Sequence, residues 1–466
     1  MGITSRLAGF VVDTSFSDIP GDVIEKSKDM MLNVASAGLA ASGQREVDII
    51  TQYVEDMGGK PVSTIMGRGV RSSPLYAALA NGFMMDLPDY DGAVRRRNNS
   101  AARKIGPAVM AVGECMALSG KEVLLAFTLG CEVSTKLGAA GDLDDPIQPR
   151  MARYGWNVGT VAGVVGAAAA VGKLLGLGQE PMESALGIAV SQASGLNRNI
   201  GTAVTSFEGG QAAMKGIMAA MLAQRGLAGA RNDIEADEGF FGCYRRDTRE
   251  TMVDEDEFFH TLANPYDVIF PGMLLKFYPC SSDNGTPVEA TLRVVKEHQI
   301  TPEQVQSVHV AVIQPHTVMY TRPETGQQAQ KSIQYCTAVA LVHGPPQLHH
   351  FTDKAVQDPD PRVRAVMSKV TWEATEQSTL EVPNPSTVTI TLTNGQQLSY
   401  RAKHEKGHPG NPMTPQELDT KFAACGRNKL SPDQIKEAID QFHHLDELPN
   451  VAPLVSILGG EPGRTQ

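Results

Sequence analysis

At 466 residues the chain is longer than a single hydrophobic core usually serves, so two domains are expected. A hydrophobic fraction of 42% and a charged fraction of 20% are those of an ordinary globular protein. A net charge of −11 excludes nucleic acid and an anionic membrane as main partners, because both repel an acidic surface.

The first residues, MGITSRLAGFVVDTSF, carry no basic leader and no small-residue cleavage site. Residues 1–260 read almost entirely as helix. Asp22–Ala41 has helical apolar spacing. Ser73-Pro74 is an N-cap and first-turn pair that opens a helix over Leu75–Met85. Next comes a basic stretch, Arg95–Arg97 with Arg103-Lys104, directly before an apolar helix starting near Ile105. Three segments rich in alanine and glycine follow: Val161–Leu175, Met182–Ser194 and Gln211–Gly226. Small residues at that density let helix backbones approach closely. Glycines and Lys173 interrupt Val158–Leu175, so it reads as a buried helix and not a membrane span.

The pattern changes near Asn264-Pro265. Val288–His298 is helical. Thr301 to Gln304 has capping-box spacing, and Val305–Gln314 alternates as a strand. Lys331–Val342 is helical. Val388–Thr393 and Gln396–Arg401 flank Asn394-Gly395, a strong hairpin signal. Ser431-Pro432 opens a last helix to His443. The expected architecture is two-domain: a large all-α body, residues 1–265 with 405–466 packing back on it, and an inserted α+β lid at 266–404.

Common catalytic devices are missing. There is no phosphate-binding loop, zinc spacing or dinucleotide fingerprint. The six cysteines, at 115, 131, 243, 280, 336 and 425, include no C-x-x-C pair, as for reduced thiols in a cytoplasmic protein. All eleven histidines lie at 260 or later, so acid–base work in the body falls to Tyr, Lys, Asp or Glu. Neither His349-His350 nor His443-His444 can chelate as neighbours on a helix, and no metal is expected.

Stretches in order along the whole chain resemble the MmgE/PrpD family. They include Leu79-Ala-Asn-Gly82 with Asp89-Tyr-Asp91, Tyr154-Gly-Trp156, Gly166-Ala-Ala-Ala-Ala170 and "ALGIAVSQASGL" from Ala185. Gly209-Gly-Gln-Ala-Ala213, Lys276-Phe-Tyr-Pro-Cys280, Lys331-Ser-Ile-Gln-Tyr-Cys336 and "GHPGNPMTPQELDTKF" complete the series. The resemblance implies a helical domain built from both chain ends, an inserted lid, an active site between them and a homodimer. It also implies a lyase or isomerase that forms a carbanion beside a carboxylate and needs no cofactor. The family's histidines are replaced here. Asn157 stands in its Gly-Trp-His motif, Asn99 or Ser100 follows its acidic motif, and Glu208 ends its Thr-Lys-Pro-Leu-His segment.

With the histidines replaced, Lys276, Tyr335, Tyr154 and Asp89 are the expected catalytic residues. Arg103, Lys104, Asn157, Arg198 and Asp91 are expected to bind substrate, because arginine forks and helix N-termini suit carboxylates. The expected ligand is a small anionic or polyfunctional acid. An elimination, as in a dehydratase or decarboxylase, is the first reading. Epimerisation by the same carbanion chemistry, or anion binding without catalysis, are the alternatives.

Overall fold

The computed structural model describes residues 2–94, 99–140, 150–246, 253–315, 319–379 and 382–460. Arg95–Arg97, the start of the basic stretch, lie outside the described residues. Two main hydrophobic cores form. The larger runs from Ile3 to Leu275 and resumes from Leu418 to Leu458. The smaller spans Tyr278 to Ala402. Tyr266, Val268, Met273 and Leu275 all pack in the larger core, beyond the change of pattern at Asn264-Pro265.

Backbone contact at glycine organises the larger core. Helix Val158–Leu174 packs among Ala102–Met116, Gly120–Ala139, Gln179–Gln192 and Ala203–Gln224. All its residues except Lys173 are buried, and the Lys173 ammonium donates to the Val12 carbonyl at 2.7 Å. At the crossing with Gly120–Ala139, a methyl on Gly166 would stand 2.6 Å from the Gly130 carbonyl oxygen. A methyl on Gly130 would stand 2.7 Å from the Gly166 oxygen. Helix Pro74–Asp86 crosses Ala203–Gln224 in the same manner, where a methyl on Gly82 would meet the Gly210 Cα at 2.8 Å. The C-terminal helix Pro415–Gly426 lies against Gly21–Ala41, so both chain ends share this core.

The smaller core is covered by a four-stranded sheet. Its order is Val370–Ala374, Val305–Val312, Ser386–Leu392, Gln397–Ala402, with the first pair parallel and the others antiparallel. The Asn394-Gly395 turn joins the last two strands, with Gly395 at φ +86°. Helices Ser282–His298 and Ile333–His343 pack on the sheet.

The helical reading of residues 1–260 omits two short pairings. Ser63–Ile65 pairs with Val70–Ser72, and Gly92–Val94 pairs antiparallel with Met273–Leu275. Three residues are too few to show alternation. Two helices also begin earlier than their apolar periodicity. The one read at Gln211–Gly226 starts at Ala203, and the one read at Val288–His298 starts at Ser282. The added turns, AVTSFEGG and SDNGTP, are mostly polar or small, and Thr205, Ser206, Ser282 and Asp283 in them face a cavity. Among the described residues no helix is long and apolar enough to cross a membrane.

A larger side chain at the glycine crossing must push two helices apart. Gly166→Val is expected to destabilise the fold by about 1–3 kcal/mol, visible as a lower Tm. An unchanged Tm would show that the crossing tolerates a side chain.

Candidate active site

A cavity of about 200 Å³ lies between the two cores, and four helices begin at it. Ala102–Met116 contributes Arg103 and Lys104 from its first turn. Val158–Leu174 contributes Val158 and Gly159 behind its N-cap Asn157. Ala203–Gln224 contributes Thr205 and Ser206 behind Thr202. Ser282–His298 contributes Ser282 and Asp283 behind Ser281. Each helix start leaves backbone N–H groups without intrahelical partners and carries roughly half a positive charge. The Asn157 side-chain oxygen accepts from Thr160 N at 3.3 Å, and Ser281 Oγ accepts from Asp283 N at 3.3 Å. Ala101 and Thr202 offer their helices no side-chain cap.

One wall is a chain of alternating charges. The Lys276 ammonium donates to the Asp89 carboxylate and, at 3.2 Å, to the Asp89 carbonyl. Lys331 Nζ lies 3.7 Å from the other Asp89 oxygen. Arg103 Nη1 is 3.8 Å from Asp89 and donates to Asp91 at 2.6 Å. Arg103 Nε is 2.9 Å from Asp86 Oδ2, which also accepts from Lys104 Nζ at 3.0 Å. Asp89 has φ +46°, a left-handed conformation that aspartate tolerates better than most residues.

Short-range pairing and helix geometry set this arrangement. The Gly92–Val94 and Met273–Leu275 strands register Gly92 against Leu275. Lys276 N donates to the Asp91 carbonyl at 2.9 Å, which extends the pairing and sets Lys276 beside the Asp89–Asp91 loop. A methyl on Gly92 would collide with the Leu274 carbonyl, so only glycine permits the approach. Arg103 and Lys104 diverge from one helical turn, and both reach Asp86 at the end of Pro74–Asp86.

Burial opposes ionisation of Asp89, but Lys276, Lys331 and Arg103 together outweigh it and hold the carboxyl well below the usual range. Burial would lower Arg103; Asp86, Asp91 and Asp89 reverse that and raise it. Burial, then repulsion from Arg103, pushes the Lys104 ammonium down.

Asp89, Arg103, Lys104, Asn157 and Lys276, all singled out from the sequence, line the cavity. Asp91 lies behind Arg103 and is fully buried. Three others do not line it. Tyr335 is buried in the lid, where its hydroxyl donates to the His350 carbonyl at 2.6 Å and burial pushes its phenol up. Tyr154 is exposed beneath the Arg246 guanidinium, 4.5 Å from its ring centroid. Arg198 is exposed on the turn Asn197–Asn199, while its neighbour Asn197 lines the cavity. Asp86, Lys331 and Gln330 were not singled out. Gln330 reaches from the lid to the Pro88 carbonyl at 2.6 Å. The available signals were an aspartate closing an apolar helix and a lysine opening the Lys331–Cys336 motif. Among the described residues, no three His, Cys, Asp or Glu side chains converge as metal ligands.

A family model for the MmgE/PrpD N-terminal domain matches residues 5–251, and one for the MmgE/PrpD C-terminal domain matches residues 278–446. The cis-aconitate decarboxylase of Mus musculus is 27% identical over 474 residues, covering 98% of this chain and 93% of its own. That of Homo sapiens is 26% identical, covering 98% and 95%. That of Aspergillus terreus is 26% identical, covering 98% and 96%.

The guanidinium of Arg103 holds two buried carboxylates before it meets any ligand. Removing one partner of such a pair costs about 3–5 kcal/mol. Arg103→Ala is thus expected to lower Tm markedly, with any loss of ligand affinity secondary. A variant of unchanged Tm and weakened anion binding would reverse that ranking.

Proposed function

Because the chain belongs to the MmgE/PrpD family, a family that includes lyases, we propose that it is a lyase that removes a group beside a carboxylate of a small di- or tricarboxylate, without a cofactor. The observation that carries this reading is the convergence of four helix N-termini and four cationic side chains, Arg103, Lys104, Lys276 and Lys331, on one cavity. Fixed N–H groups and cations at one point stabilise negative charge that develops on a bound acid.

Decarboxylation is the elimination this cavity suits better. No histidine is among the described residues that line it. A hydroxyl leaves poorly unless a proton is delivered to it. Carbon dioxide leaves as a neutral molecule and needs none. When the C–C bond breaks, the electron pair stays on the substrate carbon and spreads into the adjoining unsaturation or carboxylate. The Lys276 ammonium then supplies the proton that completes the product, and Asp89 steadies that ammonium. Lys331, from the lid, and the amides beside Asn157, Thr202 and Ser281 face the remaining carboxylates. The relatives' names place cis-aconitate first among acids to test.

The test is incubation with a panel of di- and tricarboxylates in deuterated water, with release of carbon dioxide and deuterium in the product followed together. Lys276→Met is expected to lower turnover by about 10²–10⁴-fold, the usual contribution of a positioned proton donor. A panel with neither turnover nor exchange would overturn the lyase reading. Full activity in Lys276→Met would remove Lys276 from the chemistry.

A further inference from the structure

Among the buried cations outside the cavity, one is bonded to the main chain that carries the cavity's charged pair. Lys421 sits in helix Pro415–Gly426 and is only 5% exposed. Its ammonium has three N–H donors, and three oxygens from three segments receive them. They are Asn33 Oδ1 at 2.7 Å, the Tyr90 carbonyl at 2.6 Å and the Lys276 carbonyl at 2.8 Å. The Tyr90 ring centroid lies 3.6 Å from the same nitrogen. Asn33 in turn donates its amide to the Asp91 carbonyl, which also receives Lys276 N.

The main chain at residues 90, 91 and 276 is therefore gathered around one ammonium. These residues adjoin Asp89 and carry Lys276, the pair that faces the cavity. None of the three acceptors is a carboxylate. The cation's desolvation is offset by three charge-assisted hydrogen bonds, and an apolar side chain of similar length would leave their buried acceptors unpaired. What the ammonium supplies is directional: three bonds that set the separation of two backbones.

We propose that Lys421 is a positioning residue that holds the Asp89–Lys276 pair in register from behind the cavity. It does not line the cavity and acts through the two loops it joins. The charged and titratable groups facing it are Asp91, Lys276, the Tyr90 phenol and the Cys425 thiol one helical turn on. Burial pushes its ammonium down to about 7. The sign follows. An unfolded lysine keeps its proton well above that pH, so proton loss from folded Lys421 relieves a burial penalty and favours the folded state. The same loss removes one of the three N–H donors. Activity should thus fall as pH rises through about 7, while this group adds stability.

The inference draws on the lyase reading only for its kinetic assay. In that assay Lys421→Met should lower kcat by about 10–100-fold, the scale of a small misplacement of reacting groups, with KM changed less than about twofold. It should also lack the alkaline limb of the wild-type kcat profile. Independently of any substrate, amide hydrogen exchange should quicken in residues 88–92 and 274–278 of Lys421→Met and not elsewhere. Wild-type kcat, a change confined to KM, or a retained alkaline limb would overturn the proposal. If the wild type acts on no polycarboxylate, the lyase reading fails and the exchange result alone decides Lys421, unchanged protection overturning it. If Lys421→Met does not fold, the wild-type profile decides: a fall in kcat above about 7 without a fall in Tm supports the role, and a flat profile overturns it.

Discussion

The ion pair between Asp89 and Lys276 joins residues 187 apart in the chain, and the active-site architecture depends on it. Neither side chain could be held there by local structure. Asp89 sits in a loop after one helix, and Lys276 directly follows a three-residue strand. They meet because Gly92–Val94 pairs with Met273–Leu275, which brings the approach to the lid against the body. Glycine at 92 permits that contact, since any side chain would strike the Leu274 carbonyl. The lid then adds Lys331 and Gln330 to the same loop.

Four aspartates, Asp86, Asp89, Asp91 and Asp283, in or behind a cavity lined by cations look contradictory until the helices are counted. Four helix starts and four cations at one point would repel one another strongly without a ligand. Asp86, Asp89 and Asp91 offset that repulsion and fix where each cation points. The cations are therefore pre-ordered, and a carboxylate of the kind proposed as substrate would meet groups that need little rearrangement. Arg103 is more deeply engaged in this internal balance than Lys276 or Lys331. Its guanidinium serves the protein's own carboxylates, which separates the residues that maintain the field from those that face a ligand.

Packing sets the precision of the site. Two helices that supply its N-termini, Val158–Leu174 and Ala203–Gln224, cross neighbours at Gly130–Gly166 and Gly82–Gly210 and meet each other where a methyl on Gly216 would strike Ala167. Such crossings have little freedom to slide, because the next residue along either helix is larger. The first turns of those helices thus stand at set distances from one another. That is what lets short polar side chains such as Asn157, Ser206 and Ser281 line one small space.

Much of the framework could be read from the residues alone. Alanine and glycine density marked the close-packed helices, and Asn394-Gly395 marked the hairpin, because both are local consequences of side-chain size and backbone freedom. The ordered motifs pointed to the family and to Asp89, Asp91 and Lys276. The polar first turns at Ala203 and Ser282 stayed hidden, since apolar periodicity reports only faces turned toward a core. Arg198 and Asn197 are neighbours, and only the turn geometry decides which one enters the cavity. Tyr335 lies in a matching motif, yet its hydroxyl is bound to a lid carbonyl. Lys331 and Lys421 acquire meaning only through partners hundreds of residues away, and Asp86 only through the start of the next long helix. Sequence by itself determined the elements and the kinds of charge available. Which charges neutralise each other and which face a ligand was decided by tertiary structure, because pairing of buried charges depends on distances of a few ångströms that no spacing along the chain encodes.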